Sequence, residues 1–171
     1  MGEVLSQESL RLRIRSLHED RKKVVFTNGC FDLLHVGHIR YLKAARELGD
    51  CLVVAINSDN SVRALKGDER PIIPEGQRAE VLAALSFVDY VIIFEELDPS
   101  RLISLLQPDV LVKGGDWAPG QIAGKEQVEA SGGRVLSLPL VEGVGTSAII
   151  SSIVNRYAKS SRNSSKDPKK S

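Results

Sequence analysis

The chain has 171 residues, 23 of them Lys or Arg and 22 Asp or Glu, for a net charge of +1, and 42% are apolar. That size and balance suit one globular unit with a sizeable core. They exclude a chain whose charge alone would hold it to nucleic acid. No stretch approaches the ~18 apolar residues of a membrane span, and the first residues lack the apolar core of a secretion signal. The expectation is a cytoplasmic protein with neither a membrane nor a nucleic-acid partner.

The charge is uneven. From residue 159 onward five basic residues face only Asp167, so this tail carries +4 and the rest of the chain about −3. Its composition, AKSSRNSSKDPKKS, offers almost nothing to bury, which predicts a disordered basic tail over 159–171. The two cysteines, Cys30 and Cys51, form neither a CxxC site nor a disulfide framework and read as reduced thiols.

Taken in chain order, Leu10, Ile14 and Leu17 recur at helical spacing and predict an amphipathic helix over 6–20, within an N-terminal extension of residues 1–22. KKVVFTNG predicts a short buried strand ending in a turn. Ile39, Leu42, Ala45 and Leu48 predict a helix over 38–48, which Gly49 stops. CLVVAINSD is a second apolar strand, and NSVRALKGDERPIIPEG, with two prolines and two glycines, reads as a loop. A helix over 77–87, a strand at YVIIF, a helix over 99–106, a strand at DVLVKGGD, a helix over 121–131, a strand at RVLSLPL and a helix over 147–157 complete the series.

Strands that alternate with helices predict an α/β fold, a three-layer, Rossmann-like parallel sheet flanked by helices, here over residues 23–158. In such sheets ligands bind beyond the carboxyl ends of the strands. Candidate residues fall at those ends: Asn28, Gly29, Asp32, His35 and His38; then Asn57, Ser58 and Asp59; then Lys113, Gly114, Gly115 and Asp116; then Gly143, Gly145, Thr146 and Ser147.

The types at these positions suit phosphate. Free amides and the dipole at a helix start favour an anion, and His35 and His38 can each donate an N–H to it. Gly37 leaves room beside the backbone. Thr146 and Ser147 add hydroxyls at a second helix start. Lys66 and Arg70 on the loop, and Arg78 just beyond it, are cations able to clamp a polyphosphate; Lys66 and Arg70 could equally be solvated loop charges. Asp59 could equally cap a helix.

Competing chemistries fit less well. A zinc pair needs histidines at i and i+4 on one helix, whereas these are three apart across a turn. There is no GxSxG elbow, no GxxxxGK[ST] loop, and no GxGxxG after the first strand. Cys30 could be a nucleophile but reads better as a small residue packed beside a strand.

GCFDLLHVGH resembles the signature of the HxGH nucleotidyltransferase superfamily, the cytidylyltransferase-like enzymes. FTNGCFDLLHVGH, NSD, LKGDERPI, QRAEVLAAL, VDYV, PDVLVKGGDW and GGRVL, in that order, resemble the heptose 1-phosphate adenylyltransferases over residues 23–156. The resemblance implies an enzyme that transfers AMP from ATP, carried with Mg²⁺, to a sugar phosphate. It implies that His35, His38 and Lys66 act on the phosphates. Asn28, Gly29, Phe31, Asp32 and Gly37 would form the floor, with Asp32 helping to place the metal. Arg78 would support the nucleotide, Gly114, Gly115 and Asp116 would lie near the ribose and base, and Thr146 and Ser147 would hold the outer phosphates. No metal-ligand set of the chain's own is implied. It further implies a homo-oligomer and a separate sugar kinase upstream. One departure is Gly145, where relatives carry a third hydroxyl. A CTP-dependent cytidylyltransferase acting on glycerol 3-phosphate, and a nucleotide sensor without turnover, are the alternatives.

Overall fold

The computed structural model describes residues 1–115, 122–139, 141 and 143–164, with side chains described through 158. Asp116 and Trp117 lie outside the described residues.

Six strands form one parallel sheet in the order β1-β4-β3-β2-β5-β6. They are β1 (Glu3–Val4), β2 (Val24–Gly29), β3 (Cys51–Asn57), β4 (Tyr90–Phe94), β5 (Val110–Gly114) and β6 (Arg134–Leu138). All seven residues of β3 are buried. Successive side chains enter opposite cores: Val25, Leu52, Val54 and Ile56 join one cluster, and Val24, Phe26, Val53 and Ala55 the other. That double burial is why the strands read as continuous apolar runs rather than as alternating ones. Cutting fully buried Leu52 to Ala would cost about 2–5 kcal/mol.

Seven helices are described: α1 (Gln7–Glu19), α2 (Val36–Arg46), α3 (Asp59–Lys66), α4 (Glu75–Ala83), α5 (Ser100–Leu106), α6 (Lys125–Ala130) and α7 (Thr146–Ser164). α2 lies two residues earlier than the expected 38–48 and α6 is shorter than the expected 121–131, and three others depart further. α3 occupies the first half of the expected loop. The Ser58 hydroxyl accepts from Ser61 N at its start, but only Ser61 and Val62 are buried, so the apolar stripe is too short to read. α4 starts two residues early, after Pro74, and ends at Ala83, where Leu85 N turns back to Leu82 O. α7 continues through Ser164, so the stretch expected to be disordered from 159 is helical to that point.

The N-terminal stretch also adds a strand that its composition does not announce. Glu3 N donates to Asp89 O and Leu5 N to Val91 O. Gly2 makes the approach possible, since a Cβ there would come 2.5 Å from Val88 O. α1 then buries Leu10 and Ile14 in the second core.

The strand order reverses between β2 and β5. From β2 the chain moves outward through β3 to β4, then returns to β5 on the other side. The crevice at that reversal is where the loops carrying the histidines and the Lys-Gly-Gly turn meet.

Candidate active site

The site begins with β2. Its last residue, Gly29, has no Cβ because the Phe31 ring folds back over it, with a virtual Cβ only 3.1 Å from Phe31 Cε2. Phe31 sits at φ +45° to make that fold, and its ring reaches His38, centroid to centroid 5.2 Å. His38 in turn stacks on His35, with centroids 3.8 Å apart and planes at 22°. A chain of contacts thus runs from the strand end to the imidazole pair.

His35 is the residue before α2 and His38 lies in its first turn. No acidic side chain occupies that turn, so the helix-start amides remain suited to an anion. Gly37 has a tighter role than leaving space for ligand. A Cβ at Gly37 would come 2.9 Å from His35 Nδ1, so the glycine makes room for the imidazole itself. The Nδ1 atoms of both rings are buried without a hydrogen-bond partner.

Burial lowers the pKa of His35. For His38, burial first, and then the neighbouring His35, push the pKa down to about 4, with the Leu33 carbonyl pulling the other way. Both rings are neutral at pH 7 and would meet a phosphate as N–H donors rather than as cations.

Opposite them, Lys113 at the end of β5 donates from Nζ to Asn28 Oδ1 (3.2 Å) and lies 3.4 Å from Asn28 O. Burial lowers its pKa. Cys30 lies beside it. Burial raises its thiol pKa, against the pull of Lys66, Arg78, Arg70 and Lys113, whose charges all bear on it. A thiol held protonated is a poor nucleophile, in keeping with a packing role. Lys66 closes α3 and is exposed at the mouth.

Two expected ligand contacts are instead internal supports. The Asp32 carboxylate has no solvent exposure. It accepts from Arg70 Nε (2.5 Å), from Ile72 N and from Ile73 N. Burial alone would raise its pKa, but the Ile73 and Ile72 amides and Arg70 outweigh it and hold the carboxyl below its ordinary value. Its lone pairs are spoken for, so it does not fit a magnesium ligand. Among the described residues no cluster of three or more His, Cys, Asp or Glu could hold a metal.

Arg78 is 2% exposed and donates to Ile73 O, Cys30 O, Asn57 O and Asp59 Oδ1. It staples the ends of β2 and β3 to the 70–73 segment. Asp59, the other end of that staple, opens α3.

The remaining expected residues among those described are brought to the same rim. Thr146, first residue of α7, donates from Oγ1 to Leu33 O at 3.3 Å, which places the α7 start against the histidine turn. Ser147 follows it on the exposed side. Gly114 pairs with Leu138, and Gly115, at φ +111°, donates from N to Leu138 O. A Cβ at Gly145 would meet nothing within 4 Å, so the missing hydroxyl leaves open space. Arg70 and Lys113 are the residues whose importance sequence reasoning understated. Nothing in a lone loop arginine announces a buried carboxylate partner 38 positions away.

The described helices include none long and apolar enough to cross a membrane. A family model described as "Cytidylyltransferase-like" matches residues 26–135. The chain is 55% identical over 151 residues to the "Bifunctional protein HldE" of Syntrophotalea carbinolica, covering 88% of this chain and 31% of that protein. It is 61% identical over 132 residues to the protein of that name from Geotalea uraniireducens, covering 77% and 27%. The chain therefore spans about a third of the length of these relatives. Among solved structures, a lipopolysaccharide core biosynthesis protein from Thermoplasma volcanium aligns with a TM-score of 0.56 at 29% identity, covering 70% of this chain and 97% of that one. Pantothenate synthetase from Thermus thermophilus, at 17% identity and a TM-score of 0.58, covers 82% and 62% and shares the fold. The match across most of the sheet, together with the histidine turn seated at its topological reversal, shows that the chain belongs to the cytidylyltransferase-like family and is a nucleotidyltransferase.

Proposed function

We propose that the chain is an adenylyltransferase that moves AMP from ATP onto a heptose 1-phosphate, giving an ADP-sugar and pyrophosphate. The observation that carries this reading is the neutral, stacked His35–His38 pair beside the α2 and α7 starts. The likeness of LKGDERPI and LVKGGDW to the heptose enzymes supports the acceptor, as does similarity to a protein of lipopolysaccharide core biosynthesis.

An oxygen of the sugar phosphate attacks the α-phosphorus. The bond from that phosphorus to the bridging oxygen of the β-phosphate breaks, and pyrophosphate departs with the electron pair. The acceptor monoester is already ionised near neutral pH, so no protein nucleophile is required and catalysis is positioning plus charge stabilisation. His35 and His38 donate N–H groups to the α-phosphate as its charge redistributes. Lys66 and the α7 start, with Thr146 and Ser147, hold the outer phosphates. Asn28, oriented by Lys113, forms the floor. Mg²⁺ enters with the nucleotide as part of the substrate and neutralises phosphate charge. A sugar kinase supplies the acceptor, and the working form is a homo-oligomer, which sedimentation would test.

Pyrophosphate release with ATP or CTP against a panel of sugar 1-phosphates and glycerol 3-phosphate tests the reading. Release with ATP and heptose 1-phosphate is expected. Release only with CTP and an alcohol phosphate would replace it with the cytidylyltransferase reading, which the family's name favours.

A further inference from the structure

We propose that Arg70 is a phosphate-binding residue for the nucleotide and that buried Asp32 is the residue that positions it; the nucleotide's identity, but not this geometry, rests on the function proposed above. Arg70 is bound to Asp32 through Nε alone. A guanidinium has five N–H donors in a rigid planar fork, and fixing the Nε edge fixes the direction of the rest. The two Nη nitrogens have no partner among the described residues, and the side chain retains 17% exposure while Asp32 has none. A buried carboxylate therefore anchors an arginine whose outer face stays open.

The anchor is well made. Asp32 also accepts from the amides of Ile72 and Ile73, and Arg78 holds the carbonyl of the same Ile73. Arg70 N closes a turn onto Gly67 O, directly after Lys66. The segment that carries Arg70 is thus clipped to the body from both sides rather than left to solvent.

Position selects the ligand. Asp32 is followed by Leu33, which takes the Thr146 hydroxyl, and then by His35, one half of the imidazole stack. Four consecutive residues gather the guanidinium, the α7 start and the histidines around one turn. Those partners are the donors assigned to the nucleotide's phosphates, so the open face of Arg70 serves the same groups. A charge-assisted, forked contact to phosphate is stronger than a neutral one.

The test is calorimetry of the full chain with Mg·ATP, without acceptor, so that a failure of the sugar assignment leaves it intact. R70Q is expected to weaken ATP binding about tenfold or more, as loss of a charged hydrogen bond does. R70K, which keeps the charge but cannot bind Asp32 and phosphate together, is expected to lose nearly as much. D32N should weaken ATP comparably, and adding D32N to R70Q should cost less than about twofold more, because the carboxylate acts through the arginine. Wild-type ATP affinity in R70Q would overturn the phosphate contact. Wild-type affinity in R70K, or losses that simply multiply in the double variant, would overturn the positioning role; R70K alone decides that point if D32N does not fold. If the chain binds CTP and not ATP, the adenylyl reading falls and the same variants are measured with CTP.

Discussion

The two ends of the parallel sheet use polar groups in opposite ways. At the amino ends of β2 and β3 backbone amides are closed by carboxylates: Asp50 takes Lys23 N, Asp109 takes Val24 N and Asp89 takes Leu52 N, all at 2.7–2.8 Å. Asp89 is itself paired with Arg46 at 2.9 Å, and His18 Nε2 lies 3.4 Å from Asp109 Oδ2 without a hydrogen bond. At the carboxyl ends the histidine turn departs from that pattern. His35 and His38 keep partnerless buried nitrogens, and burial depresses the pKa of His38 and of Lys113. The amino-end carboxylates tie strand starts into the fold; at the carboxyl ends Asp32 and Arg78 are likewise satisfied, and the histidine pair beside them keeps nitrogens that a ligand can partner. Polar groups left short of partners carry a cost that only function explains.

Substitutions on the two rims should therefore separate activity from stability. His38→Ala is expected to lower turnover at least a hundredfold, the effect of removing one preorganised donor worth about 3 kcal/mol. Its melting temperature should stay within a few degrees, and near wild-type turnover would end the role. Gly37→Ala should follow, because the new methyl displaces the His35 ring. We expect a fall of about tenfold in kcat/KM, from a ring moved by a fraction of an ångström, with nucleotide affinity as the companion measurement.

Asp109→Ala should do the reverse. It strands Val24 N and should cost about 1–2 kcal/mol, read by denaturant midpoint, with turnover kept within twofold. A large activity loss there would erase the contrast between the rims.

A last expectation concerns the pH dependence of the free protein. His38 ionises near 6.5 when unfolded but at about 4 when folded. In acid the unfolded chain takes up that proton first, so stability is full above about pH 6.5 and declines as pH falls toward about 4. Melting temperature followed across that window should drop less in His38→Gln than in the unaltered chain. An equal drop would assign the acid sensitivity to other groups.

Legibility in the sequence followed how local each signal was. The apolar runs of β2 to β5 were readable because a strand buried on both faces has no polar alternative. The histidine turn was readable because a strand end, a glycine and a helix start lie within a dozen residues. β1 was hidden because two residues of edge pairing have no composition of their own, and α3 because so little of it is buried. The family resemblance implies ligand contacts for Asp32 and Arg78, which the structure spends internally. Their true partners, Arg70 and the Cys30 carbonyl, lie 38 and 48 residues away, and nothing local names them.

The residues by themselves thus determined an alternating α/β chain and the chemistry of one turn, since periodicity and helix-start donors are properties of neighbours. Tertiary structure alone decided which charges face a ligand and which are spent inside. Arg78 is consumed by three carbonyls and Asp59, whereas Arg70 is held by one edge with its outer nitrogens free. The physical reason is that a charged side chain's role depends on which of its donors are already satisfied, and long-range contacts set that count.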